Sequence, residues 1–139
     1  MRVVADTNII ISMLLWGKSL ERFLVLVNTR RITLCFSPQT IDELFRVIYH
    51  SHIQKQAEKL KTPVETLLDK LIAASEIVYP TQRVAVIRED PSDNRILETA
   101  IAARVRYIVT GDRHLLKCKQ HLNIPIVTPA EFLKLLRNK

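Results

Sequence analysis

The chain has 139 residues, 47% hydrophobic and 25% charged, a composition that fits one globular domain and excludes a disordered chain. Its 21 Lys and Arg outnumber 14 Asp and Glu, and the formal net charge of +7 favours a polyanionic partner, either nucleic acid or an acidic protein segment. With only two glycines, Gly17 and Gly111, neither a Gly-rich dinucleotide loop nor a Gly-x4-Gly-Lys phosphate loop can be written, which removes nucleotide-cofactor chemistry of those kinds.

Arg2-Val3-Val4-Ala5 reads as a short strand stopped by Asp6-Thr7-Asn8. Helical patterns follow over 9–16 and 20–27. A β-branched and aromatic run over 32–36 predicts a second strand, ended by Ser37-Pro38. Ser37 as N-cap with Pro38 at the first helical position opens a helix on which Ile41, Leu44, Phe45 and Ile48 recur at helical spacing. The stretch 51–75 is helical again, with Thr62-Pro63 opening an apolar stripe of Val64, Leu67, Leu68, Leu71 and Ile72. Short strands are expected over 77–79 and 84–87, around a turn at Pro80. Ile96, Leu97, Ala100 and Ile101 mark another helix. A strand over 107–110 ends at Gly111-Asp112, and a last strand over 124–127 precedes a helix capped by Thr128, with Pro129 and Glu131 completing a capping box. Strands alternating with helices imply a mostly parallel sheet covered on both faces, and 1–139 reads as a single α/β domain.

Cys35 and Cys118 lie far apart, so neither a disulfide framework nor a zinc knuckle is written. No stretch approaches the ~18 uninterrupted apolar residues of a membrane span, and Asp6, Asn8 and Ser12 interrupt the apolar N-terminus. A cytoplasmic, soluble protein without a membrane association is expected.

In open α/β sheets, functional groups gather beyond the carboxyl ends of the strands. Asp6 and Asp112 each follow a strand, Glu43 lies in the second turn of the helix after the second strand, and Asp93 opens the helix preceding Asp112's strand. Carboxylates brought within a few ångström repel one another unless a cation is present. An all-oxygen set suits a hard divalent ion, Mg²⁺ or Mn²⁺, which can polarise a phosphoryl oxygen and make hydroxide from bound water. With a basic surface around it, the simplest task is metal-assisted phosphodiester hydrolysis. Each acid also has a plain structural use: Asp6 as a helix cap, Glu43 as a solvated helix residue, Asp93 as a first-turn acid, Asp112 as a turn residue. Their joint placement, not any single position, carries the chemical reading. Asp42 points about 100° away from Glu43 around the helix. Asp90 is a loop or cap residue that can also support the metal ligands.

These residues resemble a known family. Val4-Ala5-Asp6-Thr7-Asn8, Asp90-Pro91-Ser92-Asp93-Asn94 and Ile108-Val109-Thr110-Gly111-Asp112 are similar to the three main signatures of the PIN domain, and Ser37-Pro38-Gln39-Thr40-Ile41-Asp42-Glu43-Leu44 to its glutamate-bearing helix. The resemblance spans the chain in order. It implies a three-layer α/β/α sandwich and a Mg²⁺- or Mn²⁺-dependent ribonuclease, with Asp6, Glu43, Asp93 and Asp112 as the acidic quartet and Asn8 and Thr110 flanking it. Small members of the family are often VapC-type toxins, commonly dimeric and neutralised by a cognate antitoxin, and this chain resembles that branch. One departure stands out. Related sequences often carry an acid two residues after the last aspartate; this chain has His114, either a phosphate contact or a partly exposed helix-start residue.

Lys18, Arg95, Arg113 and Lys117 lie near the expected mouth and are candidates for holding RNA. Arg30-Arg31 and Lys119 read as solvated charge. Two rivals remain: a PIN-like module that binds RNA or protein without cutting, and a phosphohydrolase with Asp6 as nucleophile. The second lacks the acid expected at position 8 and a lysine after a late strand. His50 and His52 have metal-like spacing but no nearby cysteine.

Overall fold

A computed structural model describes residues 1–16 and 21–137; Lys18, and Leu20 at the start of the second expected helix, lie outside the described residues. Among these, six strands form one sheet: β1 (Arg2–Ala5), β2 (Thr33–Phe36), β3 (Glu76–Ile77), β4 (Tyr107–Val109), β5 (Gln120–His121) and β6 (Ile124–Val127), in the order β3-β2-β1-β4-β6-β5. Neighbours are parallel throughout except β5 and β6. The connections carry α1 (Thr7–Leu15), α2 (Glu21–Asn28), α3 (Pro38–Ile48), α4 (Ser51–Ala57), α5 (Val64–Ala73), α6 (Ser92–Ala103) and α7 (Arg113–Leu116), and α8 (Pro129–Arg137) closes the chain.

Side-chain alternation along the strands divides the interior into two cores, because successive residues point to opposite faces. Val3, Ala5, Leu34, Phe36, Tyr107, Val109 and Val127 face one way and pack with residues of α1, α2, α3, α5 and α8. Val4, Cys35, Ile108 and Ile126 face the other way, against α6, Val84, Ile87 and Leu115. Both sheet faces are therefore covered, giving the three-layer α/β/α arrangement that the alternation of strands and helices predicts. No helix among the described residues is long and apolar enough to cross a membrane.

Ser37 caps α3 as expected: its Oγ accepts from the Thr40 N–H (3.2 Å) while Thr40 Oγ1 accepts from the Ser37 N–H (2.9 Å), a reciprocal box. Two expectations need correction. The stretch 51–75 is not one helix; α4 ends at Ala57 and α5 begins at Val64, just after Pro63, whose ring disfavours helix in the residue before it. Residues 84–87 form no strand. Their backbone groups are taken by side chains of α6 instead: Val84 N–H donates to Glu98 Oε2 (2.8 Å), Ile87 N–H to Asn94 Oδ1 (2.9 Å), and Asn94 Nδ2 to Ile87 O (2.8 Å). The β-branched run that suggested a strand is an extended strap whose Val84 and Ile87 enter the second core.

Candidate metal centre

Parallel pairing of β1 with β4, in the register Ala5 opposite Val109, brings the residues that follow both strands to one edge of the sheet. Asp6 N–H donates to Val109 O (3.1 Å), and Thr110 N–H to Val127 O (2.9 Å), which fixes the backbone at both strand ends. Asp6 is 5% exposed. Its Oδ1 caps α1 by accepting from the Ile9 N–H (2.9 Å), and its Oδ2 accepts from the Thr110 hydroxyl. That same hydroxyl oxygen accepts from the Asp112 N–H (2.9 Å), so Thr110 couples the two aspartates. Burial pushes the Asp6 carboxyl above its ordinary value and the charge of Asp112 adds to this, against the hydrogen bonds from Thr110 and Ile9.

Asp112 caps α7, its Oδ1 accepting from the His114 N–H (2.7 Å). From the helix layer, the first turn of α6 delivers Asp93, 6% exposed, and the preceding turn delivers the half-buried Asp90. Asp90 Oδ1 is held by the Ser92 hydroxyl (2.6 Å) and N–H (3.2 Å). Carboxylate oxygens of Asp90, Asp93 and Asp112 lie within 4.8 Å of one another. Asp93 pays the electrostatic penalty: burial first, then the charges of Asp112, Asp90 and Asp6, push its carboxyl up to about 7. Its Oδ2 is buried without a hydrogen-bond partner. A buried unpartnered acceptor on a carboxylate that stands beside two others is what a bound cation satisfies. The donors are all oxygen, the set a hard divalent ion takes. The residues present fit Mg²⁺ or Mn²⁺.

These acids and Glu43 line a cavity of about 160 Å³, with Thr7, Asn8, Ser92 and Ile96 on its walls. The four acids singled out from sequence, Asp6, Glu43, Asp93 and Asp112, thus share one cavity. Asp90 stands closer to the cluster than its reading as a loop residue suggested, whereas Glu43 stands at the wall, its Oε2 paired with the exposed Arg46 at 3.2 Å. Asp42 is exposed but lines only the neighbouring groove of about 380 Å³, which also holds Arg46 and Arg95.

Among the basic candidates, Arg113 and Lys117 are exposed on and just after α7. Arg95 is occupied differently: its guanidinium pairs with Glu98 (3.0 Å) and donates to Val84 O (3.2 Å), fastening the 84–87 strap. His114 is partly exposed at the start of α7; its charge and that of Lys117 help hold the neighbouring Glu89 carboxyl below its usual value, after the larger effect of Glu89's own backbone N–H. The sequence reading missed Ser92 and Arg46. Ser92 was legible in principle, since a serine two residues after an aspartate is a usual turn partner. Arg46, three residues after Glu43, lies at the spacing of helical ion pairs. His50 and His52 place their rings 5.9 Å apart, but neither belongs to a metal-sized group among the described residues.

Residues 2–114 match the family model described as a PIN domain, a span that contains all five acids of the cavity. Among curated proteins none matches the chain.

Proposed function

The chain belongs to the PIN domain family, whose members are generally nucleases, and from that premise we propose that it is a Mg²⁺- or Mn²⁺-dependent endoribonuclease. One observation carries the reading: a buried aspartate, Asp93, with an unpartnered oxygen and a carboxyl near pH 7, faces two further carboxylates at the end of the sheet. Asp90, Asp93 and Asp112 would hold the ion, with Asp6 and Glu43 on the same cavity wall. Bound there, the ion supplies Lewis-acid polarisation of a phosphoryl oxygen and a lowered pKa for a ligated water.

The chain's own groups do the rest. Thr110 keeps the Asp6 carboxylate in place and orients Asp112 through its N–H. Ser92 fixes one oxygen of Asp90 through its hydroxyl and N–H. Glu43 orients water or substrate at the wall, and Asn8 offers a side-chain amide at the mouth. Arg113 and Lys117 are suited to phosphate, and His114 donates its backbone N–H to Asp112. A nucleophilic role for Asp6 is disfavoured because both of its oxygens already accept hydrogen bonds. The family resemblance further supports the toxin of a type II toxin–antitoxin pair: a cytoplasmic homodimer acting on RNA and silenced by a cognate antitoxin.

The test uses the purified, partner-free chain on a mixed RNA pool. Cleavage should require Mg²⁺ or Mn²⁺, stop with a chelator and fall by about 100-fold or more in Asp93→Asn, since even residues that only support metal ligands are worth roughly 10–100-fold. A folded wild type as inert as Asp93→Asn would leave a binding module in place of a nuclease.

A further inference from the structure

A second cavity lies away from the acids. It occupies about 430 Å³ between α2 and α8 and shares no residue with the acidic cavity. Its floor is aliphatic, from residues that include Val25, Leu133 and Leu136, and Val25 is 53% exposed. Arg22, Arg31 and Arg137 stand around it, all three exposed. Among the described side chains, which do not include that of Glu21, no carboxylate lines the cavity and none of the three arginines is in an ion pair. Arg31 immediately precedes the run into β2, so this part of the groove sits at the opposite end of the sheet from the aspartates.

We propose that the α2–α8 groove is a docking site for an acidic amphipathic helix of a partner protein, whose aliphatic face fills the floor while its carboxylates meet Arg22, Arg31 and Arg137. The volume lies within the roughly 300–1,000 Å³ usual for ligand sites. Helix-in-groove recognition needs an apolar trough with charge at its rim, and guanidinium groups meet carboxylates through paired N–H donors. A second copy of the chain is a poor occupant, because a two-fold contact through this face would set arginine against arginine. A nucleic acid is also poorly matched: stacking platforms use aromatic rings, and the floor is aliphatic.

The probe is a fluorescent 18-residue peptide with leucines on one helical face and glutamates flanking them. The full chain is titrated by anisotropy, and ¹⁵N amide shifts locate the peptide. Saturable binding that perturbs Val25, Leu133 and Leu136, and weakens by about tenfold or more in both Arg22→Glu/Arg137→Glu and the exposed Val25→Glu, is expected. Melting curves confirm that these variants fold. A composition-matched peptide with leucines spread around the helix should bind at least tenfold more weakly. The proposal is overturned if the peptide does not saturate, if the shifts map elsewhere, if the scrambled peptide binds equally, or if a 12-nucleotide RNA displaces the peptide from these residues. RNA cleavage plays no part in the readout, so the result stands apart from the nuclease assay.

Discussion

Asp93 and Asp6 are both buried carboxyls raised by the same neighbourhood, yet they differ in what their oxygens do. Asp6 uses both, one to cap α1 and one to receive Thr110, while Asp93 leaves Oδ2 without a partner. Asp6→Ala should therefore lose a helix cap worth about 1 kcal/mol in addition to any activity, whereas Asp93→Asn removes a charge that folding must desolvate. In metal-free buffer at pH 8, Asp93→Asn should melt at a temperature equal to or above wild type, and a clear drop would contradict the burial penalty. The pH dependence follows from the same group. Its folded carboxyl is pushed up to about 7, well above the ordinary carboxylate range that the unfolded chain keeps. The unfolded chain thus loses its proton first. Stability is fully present below about pH 4, falls as pH rises towards 7 and levels off above it, because between those values only the unfolded state is ionised. Thermal unfolding of the metal-free chain from pH 4.5 to 8 should show this fall over that window, smaller in Asp93→Asn. Adding Mg²⁺ or Mn²⁺ at pH 7.5 should raise the melting temperature of wild type and leave Asp93→Asn nearly unmoved, since a ligand that binds only the folded state stabilises it.

At the level of elements, α6 does most to assemble the site. Besides Asp93, its buried polar residues each reach a different neighbour: Asn94 the backbone of Ile87, Glu98 that of Val84, and Thr99 the Ser37 hydroxyl at 2.8 Å, which ties α6 to the capped start of α3. Asn94→Ala strands both the N–H and C=O of Ile87, and each unsatisfied buried group costs about 1–3 kcal/mol, so a loss of about 2 kcal/mol or more is expected in denaturant unfolding. Hydrogen exchange at Ile87 should accelerate in parallel. Protection that survives at Ile87 would mean that the strap is held by its apolar residues alone. These contacts also explain what the sequence concealed. Val84-Ala85-Val86-Ile87 has strand composition, but its partners are side chains 7 and 14 residues ahead, which no local pattern reports. The β5–β6 hairpin was missed because its two-residue turn is Leu122-Asn123, both at positive φ (48° and 66°), in place of the Asn-Gly or Asp-Gly that signals such turns. The three aspartates Asp6, Asp93 and Asp112 were legible because each follows a strand or opens a helix, where chain direction alone determines which end of the sheet it reaches, and Glu43 because its helix starts directly after β2. Asp90 was harder to place, since its closeness to Asp93 and Asp112 depends on how the turn before α6 closes around Ser92.

Over the whole molecule, charge is divided. Setting aside the five acids of the cavity, Asp6, Glu43, Asp90, Asp93 and Asp112, leaves 21 basic residues against nine acidic ones, a body of +12 around a negative pocket. If RNA is held through that body, its binding to Asp93→Asn should weaken with salt, with a log–log slope of roughly −0.7 for each phosphate contacted. Replacing Arg113 and Lys117 by alanine should reduce that slope by about 1.4. A slope unchanged by the double substitution would move the RNA path away from α7. The sheet order has a further consequence for the timing of assembly during synthesis. β1 leaves the ribosome first, but its neighbour β4 is specified a hundred residues later, and the Thr110–Asp6 hydrogen bond joins residues 104 apart. Contacts of such separation form late, after the local ones. A nascent or prematurely terminated chain that stops short of Tyr107 has its first aspartate but neither the strand that aligns it nor the Asp112 carboxylate that completes the cluster. The complete acidic cluster is thereby confined to chains that extend past Asp112.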